Sequence, residues 1–417
     1  MPATQRQRLA NNVSLSEDWP EWKALLFKAY NRTMKLHNSI DEYYMARCLE
    51  LARYGEGCVS PNPMVGAVVL NSRGEKVGEG YHARAGHHHA EVMALQAAGD
   101  QARGGTLYVN LEPCNHTGKT PPCTRALIDA GIERVFCGTL DPNPIVSGSG
   151  RDELQNNRIS VRYGFLEEEC RQLNEIFFHY ITSKRPFVTL KLAMTLDGKI
   201  ATRNGESQWL TGELSRQYVH HLRHGHDAIL TTAETVLSDN PRLTVRGLGA
   251  SVHEKPPVRI ILDRQFRMNP DRFHVFDADD VETWVFTSKV HHNREYANRA
   301  FELGARVIEV DETGLGLDLK AVLAYLGEEE ISSLLVEAGG KLAGALMNQQ
   351  LVNKLYLFYG SKIIPDPMAR PAFADAVVLK LEGASKLSIA KTRTLEQDVV
   401  VEAYPVVRSK AMAVIRA

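Results

Sequence analysis

Residues 64–70 read MVGAVVL, a short apolar run that is typical of a buried strand. Two similar runs follow, TLYV at 106–109 and VFC at 135–137. Between them lie HAEVMALQAA at 89–98 and CTRALIDA at 123–130, which favour helices and are each followed by glycine. This alternation of strand and helix predicts an α/β sheet layered with helices.

The same alternation restarts after residue 185. Residues 187–194 (FVTLKLAM), 258–262 (VRIIL) and 283–286 (TWVF) read as strands, and residues 214–223 favour a helix. We therefore expect two α/β units, at residues 41–184 and 185–417, preceded by an extension over residues 1–40.

The extension differs from the rest of the chain. Trp22, Leu25, Leu26 and Ala29 repeat with a helical period, which favours a helix docked on the body behind a frayed tail. A transit peptide would be basic and poor in acids, and only the first dozen residues are. We therefore expect the cytoplasm rather than an organelle.

Composition narrows the functional classes. The 417 residues include 49 Lys plus Arg and 50 Asp plus Glu, and the net charge of −1 argues against broad binding to nucleic acid or an anionic membrane. An apolar run of about 18 residues, as a membrane span needs, does not occur. Six cysteines are too few for a disulfide scaffold, so a reducing compartment and a metal site are expected.

A candidate metal centre is spread over two motifs, HAE at 89–91 and PCNHTGKTPPC at 113–123. His89, Cys114 and Cys123 offer one nitrogen and two sulfurs to zinc and leave the fourth tetrahedral position to water, as a catalytic site requires. Glu91 can move protons between that water and a substrate. This division of roles is typical of zinc deaminases.

Other interpretations of these residues exist. His87, His88 and His89 could form a solvated cluster, and buried cysteine is common without any metal. A structural zinc site would need a fourth protein ligand, which His116 could supply. The combination of both motifs in an α/β context favours the catalytic interpretation.

The sequence closely resembles the bifunctional riboflavin-biosynthesis deaminase/reductase family. The matching motifs are SPNP at 60–63, GEGYH at 78–82, HAEV at 89–92, LEPC at 111–114, TPPC at 120–123 and DPNP at 141–144. The resemblance implies an N-terminal cytidine-deaminase-like three-layer domain and a C-terminal dihydrofolate-reductase-like domain. It also implies two cofactors, Zn²⁺ and NADPH.

The resemblance implies a substrate for the first domain, a diaminopyrimidinone that carries a phosphoribosylamino group. The residues that it suggests for substrate binding there are Asn62, His82, Lys119 and Asn143. By chemistry alone, Lys119 can meet a phosphate and Asn62 can pair with a pyrimidine edge. Each could equally be a turn or surface residue.

The second unit lacks a GxGxxG fingerprint, so a Rossmann domain is not supported. Gly339-Gly340 follows an apolar strand and opens a helix, which suits a phosphate but could be an ordinary turn. The resemblance places NADPH at Ala193, Trp209, Thr235, Asp239, Gly339 and Gly340. It places the second substrate at Ser207, Arg223, Leu243, Arg246 and Glu337, and Lys191 with Glu337 could hold the open sugar and supply a proton.

Two segments depart from the family pattern. Residues 231–235 read TTAET where a glycine-rich stretch is usual, and residues 359–367 read YGSKIIPDP where Ala-Pro-Lys, two aliphatics and Gly are usual. Pro365 and Pro367 lack the flexibility of glycine, so the sugar site or a dimer contact could differ in shape.

Three alternatives stay open. They are a deaminase with a degenerate reductase half, a nucleic-acid deaminase, and a non-catalytic zinc-stabilised interaction module. We expect small phosphorylated pyrimidines as partners, neither nucleic acid nor membrane, and a homo-oligomer formed through the reductase domain.

Overall fold

The computed structural model describes residues 39–117, 121–143, 148–247, 256–277, 280–290, 292–314, 316–375 and 378–406. Lys119 and the helix expected near residues 22–29 lie outside these ranges. Within them, no helix combines the length and the apolar character needed to cross a bilayer.

The first sheet has five strands in the order β2-β1-β3-β4-β5, with β1 antiparallel to both of its neighbours and the remaining pairs parallel. The strands are β1 Gly66–Leu70, β2 Lys76–Tyr81, β3 Thr106–Leu111, β4 Arg134–Thr139 and β5 Ser160–Arg162. Strand β1 begins two residues later than the apolar run because the backbone of Met64 is bonded to side chains, its N–H to Asn174 (2.8 Å) and its carbonyl to Asn110 (3.0 Å).

Helices cover both faces of this sheet, which makes the predicted three layers. They are α1 Ile40–Ala52, α2 Ala90–Ala98, α3 Cys123–Asp129, α4 Ser149–Asn156, α5 Glu167–Leu173 and α6 Glu175–Ser183. One apolar core includes residues of α2, α3 and α4, and a second, on the opposite face, includes residues of α1 and α5. Helix α2 lies very close to β2, since a Cβ on Gly78 would come within 2.2 Å of the Ala94 carbonyl oxygen.

The second sheet has nine strands in the order β11-β10-β9-β8-β14-β6-β15-β18-β17. Their bounds are β6 Phe187–Thr195, β8 Ala228–Thr232, β9 Val258–Leu262, β10 Thr283–Ser288, β11 Arg306–Val310, β14 Ser333–Glu337, β15 Lys354–Gly360, β17 Leu387–Leu395 and β18 Asp398–Pro405. Short strands outside it are β7 Lys199–Ala201, β12 Glu312–Thr313, β13 Gly316–Leu317 and β16 Arg370–Pro371. From β11 to β15 all pairs are parallel, so the carboxyl ends of these strands share one edge.

Helices of the second unit are α7 Glu213–His224, α8 Ala233–Asp239, α9 Arg294–Glu302, α10 Leu319–Glu328 and α11 Gly340–Asn348. Short 3-10 helices in the two units are Arg53–Gly55, Gly99–Ala102, Pro270–Arg272, His274–Phe276 and Leu381–Gly383. The largest core packs β6, β8, β9 and β14 against α10 and α11.

The two units share a polar contact region. Ser60 and Ser332 join their hydroxyls at 3.1 Å, and Lys354 donates to Glu175 at 2.7 Å. Tyr180 donates to the carbonyl of Gly327 at 3.1 Å. These contacts involve the loop before β1 and helix α6 of the first unit.

Candidate active sites

The three predicted metal ligands meet in the structure. The ligand atoms of His89, Cys114 and Cys123 all lie within 4.8 Å of one another, with His89 Nδ1 3.2 Å from Cys123 Sγ and 3.6 Å from Cys114 Sγ. Around a tetrahedral zinc ion, such nitrogen and sulfur ligands would be roughly 3.5–3.8 Å apart. The donor set and its spacing therefore fit zinc with little rearrangement.

Helix termini hold these ligands in place. His89 caps α2, Cys123 is the first residue of α3, and Cys114 follows the end of β3. The backbone N–H of Cys123 also points at Cys114 Sγ, at 3.4 Å. The partial positive charge of a helix start favours thiolate, the form that binds metal.

The pKa values of the two thiols are shifted in opposite directions. A hydrogen bond from Cys123 lowers the pKa of Cys114 to about 4, against the effect of burial, and His89 adds to the lowering. The same pairing with Cys114, together with burial, raises the pKa of Cys123. One thiolate is thus ready at neutral pH, and a cation must displace the second proton.

Glu91 lies beside the ligand set, in the first turn of α2, and is only 3% exposed. Burial raises the pKa of its carboxyl, while the positive charge of His89 opposes the rise. A carboxyl whose pKa is raised accepts a proton more readily, which is what a general base needs.

Asn62 and His82 form one wall of the same site. His82 is 2% exposed, and its ring centroid is 5.3 Å from that of His89. His82 Nδ1 lies 3.1 Å from the His88 carbonyl, which therefore accepts its proton, and Nε2 is left to accept from the Asn62 amide at 3.3 Å. Burial lowers the pKa of His82, so the ring stays neutral.

The other two residues suggested for the first substrate are placed differently. Asn143 is half-buried in the loop after β4, and its backbone N–H donates to Asp141 Oδ1 at 2.8 Å. Lys119 lies outside the described residues.

Glu112 is a residue whose role the sequence reasoning missed. It is 3% exposed, and its two carboxylate oxygens accept backbone N–H groups from Asp141 (3.2 Å), Gly148 (3.1 Å) and Arg151 (3.1 Å). It therefore holds the loop after β4 against the metal-binding loop. An acid at the end of an apolar strand, two residues before a metal-ligating cysteine, was the available signal.

A second site lies at the carboxyl edge of the nine-stranded sheet. A cavity of about 1410 Å³ is lined by every residue that the sequence suggested for this half of the chain. They are Lys191, Ala193, Ser207, Trp209, Arg223, Thr235, Asp239, Leu243, Arg246, Glu337, Gly339 and Gly340. Such a volume is large enough for a dinucleotide and a second molecule together.

A charged cluster stands in this cavity. Arg223 makes two hydrogen bonds to Glu337, of 2.6 and 3.2 Å, and Lys191 Nζ is 3.6 Å from the same carboxylate. Burial alone would raise the pKa of Glu337, but Arg223 and Lys191 lower it to about 2. Burial lowers the pKa of Lys191, while Glu337 opposes the lowering.

Gly339 and Gly340 begin α11 at the cavity, with Gly339 as the capping residue. A Cβ on Gly340 would lie 2.3 Å from the Pro371 carbonyl oxygen, whereas a Cβ on Gly339 would meet nothing within 4 Å. Gly340 thus permits close packing of the helix, and Gly339 leaves the first N–H groups of α11 accessible to an anion.

The two segments that depart from the family pattern lie in different places. Thr231 is buried, and its hydroxyl donates to the Glu337 carbonyl at 2.7 Å, while Thr235 reaches the cavity. Residues 360–367 do not line the cavity. They are fixed by the pair of Arg203 with Asp366 (2.6 Å) and by the bond from the Ile364 N–H to Asp197 (3.1 Å).

Family comparisons agree with both sites. Residues 186–401 match the model of the RibD C-terminal domain, and residues 38–139 match the cytidine and deoxycytidylate deaminase zinc-binding region. The riboflavin biosynthesis protein RibD of Aquifex aeolicus (strain VF5) is 43% identical, over 87% of this chain and 98% of that protein. The chain belongs to the RibD family. The RibD protein of Escherichia coli (strain K12) is likewise 43% identical, over 78% of this chain and 88% of its own length.

Solved structures give the same result for RibD proteins. Acinetobacter baumannii RibD (form 1) superposes with a TM-score of 0.79 at 34% identity, covering 88% of this chain and 99% of that one. A Thermotoga maritima protein described as a diaminohydroxyphosphoribosylaminopyrimidine deaminase/5-amino-6-(5-phosphoribosylamino)uracil reductase has a TM-score of 0.77 at 38% identity, with 88% and 99% covered.

The fold and the general function expected from the sequence are therefore confirmed. The chain combines a cytidine-deaminase-like domain with a RibD reductase domain, and it is a bifunctional deaminase and reductase of riboflavin biosynthesis. The zinc-binding family and the ligand cluster agree on zinc for the first domain. The reductase domain implies a nicotinamide cofactor.

Proposed function

We propose that the first site hydrolyses the ring amine of a diaminopyrimidinone that carries a phosphoribosylamino group. The observation that supports this most is a buried acid, Glu91, that interacts with the three clustered ligand residues. When bound, zinc supplies an activated water at neutral pH. The products are ammonia and the corresponding ring carbonyl.

Protein groups carry out the remaining tasks at this site. Glu91 takes one proton from the attacking water and delivers it to a ring nitrogen, and it then takes the second proton from the added hydroxyl and delivers it to the departing amine. Asn62 presents an amide to the pyrimidine edge, and the neutral His82 orients that amide through their 3.3 Å contact. Lys119 and Asn143 are proposed as further contacts to the substrate.

We propose that the second site reduces the ribosyl group of the deaminated product to a ribityl chain, with NADPH as the cofactor. NADPH, when bound, supplies the hydride. Ala193, Trp209, Thr235, Asp239, Gly339 and Gly340 are the proposed contacts to it. The open first turn of α11 favours a phosphate of the cofactor, since its N–H groups carry partial positive charge.

The substrate of the second site is proposed to bind across the charged cluster. Arg223 and Arg246 face a phosphate, and Ser207 and Leu243 complete the contact. Lys191, held 3.6 Å from Glu337, is the proton donor as the sugar opens and accepts hydride. Burial lowers its pKa, which makes proton release easier.

We also propose that the domain boundary falls between residues 184 and 185. Helix α6 ends at Ser183 and β6 begins at Phe187, and the RibD C-terminal model begins at residue 186. We further propose self-association through the reductase domain. Strand β17 is exposed along most of its length at the edge of the large sheet, and sedimentation velocity would test this.

A single experiment tests both activities. Zinc-loaded enzyme is given the diaminopyrimidine phosphate with NADPH, with NADH or with neither, and ammonia and cofactor absorbance are followed separately. We expect ammonia in all three reactions and rapid cofactor oxidation with NADPH only. Ammonia without oxidation of either cofactor would support the degenerate-reductase alternative, and oxidation of NADH at the same rate would refute the choice of NADPH.

A further inference from the structure

Part of the second site is built on chain without regular secondary structure. Residues 240–247 follow α8 and contain neither helix nor strand, yet Leu243 and Arg246 in this segment both line the cavity. Leu243 is buried, whereas Arg246 is exposed. Within the described ranges no ion pair of the Arg246 guanidinium is found, so its position depends on how the backbone is held.

Helix α7 supplies two contacts to this segment. Arg223 donates to the carbonyl of Thr244 at 3.0 Å. The backbone N–H of Arg246 donates to Nδ1 of His220 at 3.2 Å. His220 and Arg223 are three residues apart and share one face of the helix, so they hold the backbone on both sides of residue 245.

The chemistry of His220 suits the role of an acceptor. Burial, together with the charges of Arg223 and Arg246, lowers the pKa of His220 to about 4, while the charge of Glu337 opposes the lowering. The ring is therefore neutral at physiological pH, with its proton on Nε2 because Nδ1 accepts from Arg246. An arginine or lysine at this place would have no lone pair to offer.

We propose that His220 is a positioning residue of the reductase site, which fixes the backbone of Arg246 so that its guanidinium faces the phosphate of the pyrimidine substrate. This inference rests on the proposed function, in which Arg246 meets that phosphate. His220 itself takes no part in hydride or proton transfer.

The test uses the zinc-loaded, full-length enzyme and the uracil product of the deaminase step as substrate. His220→Leu removes the acceptor at similar volume, and His220→Asn returns an oxygen near the position of Nδ1. Gln217→Leu, one turn earlier on α7 and not lining the cavity, is the matched control. Arg246→Ala tests the phosphate assignment directly.

For His220→Leu we expect the KM of the uracil substrate to rise by about tenfold, the change that one lost hydrogen bond of ordinary strength produces. The kcat, the KM of NADPH and ammonia release in the deaminase assay should stay unchanged. His220→Asn should restore most of the loss, and Gln217→Leu should resemble the unsubstituted enzyme.

Four results would overturn the inference. One is an unchanged KM in His220→Leu while Arg246→Ala raises it, which leaves the proposed function standing. Another is a His220→Asn variant as impaired as His220→Leu. A third is a loss of kcat and NADPH affinity in His220→Leu in addition to the higher KM, which would indicate a general structural role. An unchanged KM in Arg246→Ala would reject the phosphate assignment itself.

Discussion

Glu337 is the shared partner of two buried cations, and replacing it with glutamine should destabilise the reductase domain. The side chains of Glu337, Arg223 and Lys191 are 12%, 12% and 16% exposed. A carboxyl pKa lowered from 4.5 to about 2 corresponds to about 3 kcal/mol of stabilisation by the charged form, at 1.36 kcal/mol per pKa unit. Removing one partner of a buried pair typically costs about 3–5 kcal/mol, which agrees.

The pH dependence follows from the direction of this change. Because the pKa of Glu337 is lower in the folded state, its stabilisation is complete above pH 4.5 and is lost as the pH falls toward 2. The difference in the free energy of unfolding between the unsubstituted enzyme and Glu337→Gln should therefore be smaller than at pH 7, by about 1 kcal/mol at pH 4 and by about 2 kcal/mol at pH 3.

Urea unfolding followed by tryptophan fluorescence measures this effect, since Trp284 is buried in the reductase core. If the free energy of unfolding falls by about 3 kcal/mol per molar urea, the urea unfolding midpoint of Glu337→Gln should be about 1 M lower than that of the unsubstituted enzyme at pH 7. Glu213→Gln is the matched control, because Glu213 pairs with Arg216 on the surface and its loss should change the midpoint little. The reasoning is refuted if both variants shift the midpoint equally, or if the Glu337→Gln difference does not change between pH 7 and pH 4.

Three further predictions concern the first domain and its contact with the second. Glu91→Gln should slow ammonia release by about 100- to 10,000-fold with zinc content unchanged by atomic absorption, and a normal rate would remove Glu91 from the chemistry. Dialysis against a strong chelator should abolish ammonia release but leave NADPH oxidation with the deaminated substrate unchanged, and added Zn²⁺ should restore ammonia release. Ammonia release that persists without metal would contradict the zinc site. Gly57→Ala should lower stability by about 1–3 kcal/mol in thermal melts, since Gly57 has a φ of +76° and a Cβ there would lie 2.4 Å from the His224 ring. An unchanged melting temperature would show that this contact between the domains is loose.

Local sequence patterns were sufficient to predict those features that depend on one short segment of the chain. The apolar runs at residues 64–70, 106–109, 135–137, 187–194, 258–262 and 283–286 predicted six strands to within two residues at each end, whereas β2, β5, β11, β15, β17 and β18 were not predicted. The motifs at residues 89–91 and 113–123 named the three side chains whose ligand atoms the structure brings together, because zinc imposes a narrow choice of residue types and the loop between the cysteines is short. Most residues of the second site were named through resemblance, and spacing alone would have left Trp209 and Arg223 as packing or surface residues.

Tertiary structure decided what depends on distant segments. The role of Glu112 became visible only when Asp141, Gly148 and Arg151 were brought to its carboxylate. His220 likewise gained a partner 26 residues away. Sequence by itself therefore determined the elements and the chemically distinctive ligands, since these depend on local periodicity and on residue type. The assembly of the charged cluster and the holding of irregular loops were decided by the fold, because hydrogen bonds and ion pairs between remote residues leave no periodic trace in the chain.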